Sequence, residues 1–580
     1  MNTARVHPEG SAPGIDRPPH LSAAAEPWLL HQMIDRAADR DPTHPAMVGS
    51  SATVTYGELV ERADALAAVL RDRGVRRGDR VGIFMPRVPE SAVAVYGILR
   101  AGAAFVPIDP GLPVEAVRRL TDACGIQHLV VNRDMRRPLN ALTEGAGPGR
   151  VQTVVGFDRP LPGLETVGWD EVDGRRGTAA AAVQTPVVGD DLAYIMFSSG
   201  STGRPKGIMH THRSGLAYAR LSAATYDVRP DDVIGNHSPL HFDMSTFGYF
   251  TAPWAGATSV IVPEAYTKLT ASLSQLIADT GITIWYSVPL ALIQLLERGV
   301  LEDRDCSRVR WVLYGGEPFP VKHMDALMRR WPAARISNVY GPAEVNQCTW
   351  HHVGPFEDGQ ELPPTIPIGQ IWDDSEGLVV DADCEPVAPG AEGELIVHSA
   401  TMMRGYWDRP DLDARAFVER EDATGHPRRY YRTGDLVRAD EQGALHFLGR
   451  MDRQVKIRGH RVELDEVEAG LAAHPAVEEA AVFPVRESDA ARRIEAAIIL
   501  RAAAEVGPEE LAGFAGERMS PYAVPGRIRI VPELPRTTSG KIDRRGLQAA
   551  AEESESESAA STTATDGSGD PAVPARGATT

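Results

Sequence analysis

Several groups of residues in this chain have types and spacings that could do chemistry on a phosphorylated ligand. The first is Leu192-Ala193-Tyr194-Ile195-Met196-Phe197, followed by Ser198-Ser199-Gly200-Ser201-Thr202-Gly203-Arg204-Pro205-Lys206-Gly207. The apolar run reads as a buried strand. The loop after it can turn backbone N–H groups and hydroxyls onto a polyphosphate, because glycine lets the backbone approach closely and in unusual φ/ψ. Lys206 adds a point charge. It is not a Walker A loop, which needs Gly-Lys-Ser/Thr at a set spacing. A flexible Ser/Gly surface loop has the same composition, but the strand before it and the Pro-Lys-Gly ending favour phosphate.

The second is Asp243, set among apolar and aromatic residues in Pro239-Leu240-His241-Phe242-Asp243-Met244-Ser245. A buried carboxylate needs a partner. It is either a local helix cap or the counter-ion of a cationic group on a ligand. The third is a pair of apolar strands that end in glycine, Trp311–Gly315 before Gly316-Glu317-Pro318, and Arg335–Tyr340 before Gly341-Pro342-Ala343-Glu344. Backbone there can lie against a flat ring. Asp435 after Thr433-Gly434 reads as a turn residue, Phe447–Gly459 as a charged hairpin, and Lys541 as part of a solvated basic loop, Leu534–Arg544.

The elements that must position these groups alternate. A helical pattern starts at Pro27. Strands read at Arg80–Met85 and Ala104–Asp109, with helices before and between them, and the alternation continues through Cys124 and Val130-Val131. This is the α/β signature of a mostly parallel, helix-covered sheet. Residues 134–190 read as an irregular polar excursion. After Asp452 a small α/β unit follows, with strands near Glu479–Val485 and Ile494–Leu500 and a helix near Glu509–Met519. The expected organisation is a flexible terminus over 1–26, a large domain over 27–451, a small domain over 452–547 and a disordered acidic Ser/Glu-rich tail over 548–580.

Composition bounds the class. The chain has 580 residues, 43% hydrophobic and 24% charged, with a net charge of −19. That acidity argues against nucleic acid or an anionic membrane as partner. The four cysteines show no paired metal-ligand spacing, which fits a reduced, cytoplasmic protein. The N-terminus has no apolar signal core. The most apolar run, Ile284–Leu296, is interrupted by Pro289 and too short to span a bilayer.

Taken together, the motifs over residues 27–547 resemble the adenylate-forming enzymes: acyl-CoA synthetases, luciferases and the adenylation domains of nonribosomal peptide synthetases. The resemblance is closest to a stand-alone amino-acid adenylation domain. It implies ATP and Mg²⁺. It places ATP on Ser198, Ser199, Gly200, Ser201, Thr202, Gly203 and Lys206, on Gly315, Gly316, Glu317 and Pro318, and on Asn338, Val339, Tyr340, Gly341 and Ala343. Tyr340 would stack on adenine. Asp435 would take the ribose hydroxyls, with Phe447 and Arg450 nearby. Glu344 would hold the metal, Asp452 would be the hinge, and Lys541 the catalytic lysine of a mobile small domain. The family's usual Thr before Glu344 is here Ala343, which removes one phosphate hydrogen bond.

The same resemblance gives Asp243 to the substrate α-ammonium and Lys541 to its carboxylate. The side-chain pocket falls on Met244, Phe247, Tyr286, Leu313, Gly315, Val339, Gln347 and Cys348. None is charged, so a charged side chain would be desolvated without a partner. Large residues fill space that a long side chain would need, and overpacking costs roughly 1–3 kcal/mol. The expected substrate is a small amino acid, alanine or glycine, passed to a separate carrier protein, on its phosphopantetheine thiol or an amine it carries. A β-amino acid and an acyl- or aryl-CoA ligase are the alternatives. The run after Leu547 lacks the apolar periodicity of a carrier domain.

Overall fold

The computed structural model describes residues 26–565 except 51, 145–148, 178–185, 199–205, 357–360, 422–423, 489–490, 503 and 538–540. Among them the chain forms a large domain of three sheets and a small α/β domain.

One sheet has eight strands. It runs Gly405–Tyr406, Lys206–Thr211, Leu192–Ser198, Ala104–Pro107, Arg80–Phe84, His128–Val131, Thr153–Val155, Glu165–Val167. Leu192–Ser198 and the strands listed after it pair in parallel. The second sheet has nine strands, with Val233–Asn236, Ile284–Ser287, Trp311–Gly315 and Arg335–Tyr340 parallel at its centre. These strands are buried runs of Val, Ile, Leu and aromatics, as a sheet covered on both faces requires. Helices Tyr56–Asp72 and Glu90–Arg100 cover one face with Leu66, Val93 and Leu99 fully buried. The third sheet, Ser375–Val380 to Leu445–Arg450, is antiparallel.

Parallel strands point one way, so the loops at their carboxyl ends gather along one edge, where α/β sheets bind ligands. Lys206 faces Ser198 across the first sheet, and the segments carrying Asp243, Tyr286, Glu317 and Glu344 leave the carboxyl ends of the second. Gly315 is required there: a Cβ would lie 2.4 Å from the Val339 carbonyl oxygen.

The small domain packs Leu464–Ala472 and Pro508–Gly516 on the sheet Val477–Arg486, Arg492–Leu500, Arg527–Ile530. A hairpin, Gln454–Ile457 with His460–Glu463, precedes it.

Two readings change. Residues 134–190 are not an irregular excursion: Thr153–Val155 and Glu165–Val167 extend the first sheet in register. Each is three residues long, too short to announce a period. The helix Arg544–Thr565 runs through the expected start of the tail, with Ala551 buried against Phe483 and Val485. Ala and Glu serve helices as well as solvated tails.

A stability measurement separates sheet edge from excursion. Val154 is fully buried. Val154→Asp is expected to cost about 3 kcal/mol or more, an unpaired buried charge, read as a lower denaturant midpoint. No change would return the segment to the surface.

Candidate active site

Glu344 lies at the centre of the cleft between the domains. The strand Arg335–Tyr340 delivers it through Gly341, where a Cβ would lie 2.6 Å from the Asn346 carbonyl oxygen. Its side chain is fully buried. The Tyr406 hydroxyl donates to Oε1 at 2.7 Å, and the Arg461 guanidinium donates to Oε2 at 2.7 Å. Burial alone would push this carboxyl up. The Arg461 charge and these hydrogen bonds outweigh it and hold the carboxyl at about 2. Beside it, buried His210 donates from Nε2 to the Ala343 carbonyl at 3.0 Å, and burial outweighs that hydrogen bond and pushes the ring down to about 4.

Tyr340 and Asp435 come together: the tyrosine hydroxyl donates to the carboxylate, and Arg450 Nη1 donates to its other oxygen at 2.8 Å. Arg450 also binds Asp452 at 2.5 Å, tying the ribose candidate to the hinge candidate. Phe447 packs beside this group, and Asn338 donates to the Pro367 carbonyl at 2.8 Å.

Asp243 opens a single helical turn, and its Oδ1 accepts the Met244 N–H at 2.9 Å. Burial raises its carboxyl, and the charge of Lys456 opposes that rise. The expected pocket residues do meet. Met244, Phe247, Tyr286, Leu313 and Val339 share one apolar cluster with Tyr218, Tyr226 and Trp372. Phe247 and Tyr286 pack edge to face, centroids 5.7 Å apart. Gln347 is buried and donates to the Tyr226 hydroxyl at 2.8 Å. Cys348 is buried next to this cluster, and burial pushes its thiol well up.

The small-domain hairpin covers the site. Lys206 pairs with Glu463 at 2.7 Å, and the Gly459 N–H donates to Glu317 at 2.6 Å. The His460 ring meets Phe242 at 5.0 Å and stacks on Tyr522 at 3.9 Å. Lys456 reaches solvent yet sits amid the charges of Asp243, Glu317 and Asp435.

Lys541 is exposed, its carbonyl accepting the Thr537 N–H at 2.7 Å, and the structure does not bring it to Glu344. Ser199–Gly203 and the Ser198 side chain lie outside the described residues. Gly316 and Pro318 are exposed at the cleft edge. Sequence reasoning missed Lys456, Arg461, Glu463 and Tyr406. One signal was available. The hairpin sets Lys456 directly opposite Arg461, and like charges so placed destabilise a strand pair unless carboxylates elsewhere meet them.

Among the described residues no cluster of three His, Cys, Asp or Glu could cage a metal. A hard cation held by one protein carboxylate plus substrate phosphates is the usual Mg²⁺ arrangement. Glu344 fits it, since among the described residues Oε2 is held by a side chain from the other domain.

A large sheet domain with a small domain closing on a charged cleft is the architecture of a two-domain nucleotide-activating ligase. Residues 34–407 match the AMP-binding enzyme family and 466–541 match the AMP-binding enzyme C-terminal domain. The chain therefore belongs to the AMP-binding enzymes, as an adenylate-forming ligase of the amino-acid adenylation type. It is 37% identical over 533 residues to an L-proline--[L-prolyl-carrier protein] ligase of Streptomyces coelicolor, covering 90% of this chain and 97% of that one. A protein of the same name from Pseudomonas fluorescens is 33% identical, covering 90% and 98%. The fold matches a Vibrio cholerae adenylation domain solved with glycyl-adenosine-5′-phosphate, with TM-score 0.77, 25% identity, and 90% and 97% of the chains covered. No described helix is long and apolar enough to cross a membrane.

The buried imidazoles give this site a pH dependence. His210 and His212 are each pushed down to about 4 by burial. An unfolded histidine takes its proton near 6.5, the folded ones not until about 4. Stability therefore falls as pH drops through that window, by about 1.4 kcal/mol per pH unit per histidine at most. Denaturant midpoints from pH 7 to 5 should fall, and His210→Gln should flatten the slope. An unchanged slope would mean His210 is not held neutral.

Proposed function

We propose that this ligase activates L-proline as its adenylate and passes it to the phosphopantetheine thiol of a separate carrier protein. The observation that carries this reading is the match, nearly end to end, with two relatives named for L-proline and its carrier. The pocket supports it. Its walls are apolar and aromatic with Asp243 at one end. A buried methylene is worth about 0.8 kcal/mol, so the ring of proline gains over glycine by roughly three such increments. Methylenes next to an ammonium are electron-poor and suit the faces of Phe247 and Tyr286. Alanine and glycine, expected from overpacking alone, become weaker substrates in this reading.

In the first half-reaction the amino-acid carboxylate attacks the α-phosphorus of ATP. The bond to the bridging oxygen breaks and pyrophosphate leaves. No enzyme nucleophile is needed, so catalysis is positioning and electrostatic stabilisation. Asp243 holds the ammonium, Asp435 the ribose, and Lys206 with the Ser198–Gly203 loop the phosphates. Glu344 would hold Mg²⁺, which would supply neutralisation of phosphoryl charge. Lys541 neutralises charge between the carboxylate and the α-phosphate, which requires the small domain to turn about Asp452. In the second half-reaction the thiol sulfur attacks the adenylate carbonyl, the bond to the phosphate oxygen breaks, AMP leaves and the thiol proton passes to solvent. We assign the arrangement described above to this second stage. Glu344 and Lys206 are already paired and Lys541 is exposed.

ATP–pyrophosphate exchange over a panel of α- and β-amino acids tests the substrate. L-proline should lead, followed by alanine. Asp243→Asn should lower kcat/KM for it by roughly 100-fold, the loss of a charge-assisted contact. Preference for Phe, Glu or a β-amino acid, or an indifferent Asp243→Asn, would reject the reading.

Lys541 has a different signature. Lys541→Ala should lower exchange by roughly 100-fold or more while transfer from supplied aminoacyl-adenylate persists. Normal exchange in the folded variant would show that the exposed loop never reaches the site.

A further inference from the structure

We propose that Arg461 is the cation of the transfer half-reaction: it takes the place at Glu344 that the metal holds during adenylation, and so positions the hairpin over the adenylate. The proposal rests on the functional reading above for which half-reaction is which.

Glu344 is fully buried, and both of its oxygens are engaged, one by Tyr406 from its own domain and one by Arg461. Tyr406 is neutral. Without Arg461 the described residues would therefore leave a carboxylate in low dielectric with no positive partner, a state that proteins avoid. Arg461 sits on the small domain and supplies the charge only while the hairpin is seated. When the small domain is turned to bring Lys541 in, something else must supply it, and a nucleotide-bound divalent cation is the fitting group.

A second exchange of opposite sign lies beside the first. Lys206, the lysine of the phosphate loop, is paired at 2.7 Å with buried Glu463 from the same hairpin. The hairpin thus presents a cation where the site expects a cation and an anion where it expects phosphate. Its own cost is visible: Lys456 and Arg461 stand opposite each other across the strands, a repulsion offset only when the carboxylates of the large domain are in reach. The seated hairpin and metal-bound ATP are alternatives for the same charges. Departure of pyrophosphate with its counter-cation frees Glu344 and Lys206 together, which couples that departure to the seating of the hairpin.

Arg461 is thus a positioning residue, and Arg461→Gln separates the two stages. Calorimetry with Mg·ATP should show tighter binding, by several-fold, because an internal competitor is gone. Hydrogen exchange at the Gln454–Glu463 amides in the ligand-free protein should become faster. Transfer from supplied prolyl-adenylate to carrier should fall roughly 100-fold, while ATP–pyrophosphate exchange is retained. Arg461→Lys, which keeps the charge, should restore part of the transfer and of the amide protection. Equal loss of exchange and transfer with a native circular dichroism spectrum would overturn the proposal, as would unchanged Mg·ATP affinity and unchanged amide protection. Calorimetry and hydrogen exchange use neither amino acid nor carrier. They decide the role of Arg461 even where a wild-type chain inert toward every amino acid would refute the functional reading instead.

Discussion

The Glu344 side chain is sealed from solvent. Its carboxylate is enclosed by both domains, and among the described residues its ionic partner comes from a segment 117 residues away. An isolated carboxylate there would be expensive, and a well-bonded pair recovers the desolvation only when the geometry is good. The placement of the small domain follows from that constraint. The hairpin must bring Arg461 to Oε2, and doing so sets Gly459 against Glu317 and Glu463 against Lys206. The contacts are consequences of one seating rather than independent attachments, and none of them is a broad apolar interface. Inter-domain contacts of this polar kind are the ones that permit relative motion.

The hairpin itself explains why the seating is specific. A two-stranded ribbon is marginal alone, and this one opposes two cations. Gly459 closes it at φ +85, where a side chain would be strained, and a Cβ would meet Val288 of the large domain at 2.7 Å. The turn can therefore press directly on the Val288 side chain. On the large-domain side the glycine loops do the same work. Gly315 and Gly341 let strand ends and loops approach so closely that no side chain fits between them.

The sequence is most legible where function depends on local backbone. The strand-then-glycine pattern at Gly315 and Gly341 located the edge of the nine-stranded sheet, because parallel strands share a direction and their loops must gather. The surroundings of Asp243 left a helix cap and a counter-ion equally open, and only the family resemblance chose the ammonium; Tyr286, Leu313 and Val339 meet because they sit on neighbouring strands of one sheet, and the helical turns carrying Met244 and Phe247 pack onto them. Legibility failed where partners are far apart in the chain. Glu463 meets Lys206 across 257 residues, and no local pattern states that an alternating Lys-x-Arg-x-x-Arg-x-Glu ribbon will turn its charges inward. The strands at Thr153 and Glu165 failed for a different reason: three β-branched or polar residues carry no period, and only the neighbouring strand completes them. The helix past Leu547 failed because Ala and Glu content cannot separate a helix that finds an apolar surface from one that does not.

Asp243 joins the substrate question to the domain question. It is a carboxylate raised by burial, and the charge that opposes the rise is Lys456, which arrives with the hairpin. In the proposed reading a substrate ammonium and Lys456 therefore share the same carboxylate. A primary ammonium has three N–H donors to satisfy. The secondary ammonium of a ring amino acid has two, and fills less of the space around Asp243 with donors. With Lys456 seated, the proposed substrate would need fewer polar partners and offer more apolar surface to Phe247 and Tyr286 than a primary amino acid. In the proposed L-proline reading, selection by this pocket would rest on two counts at once, the methylenes that meet its aromatic walls and the number of N–H groups that must share one carboxylate with a lysine.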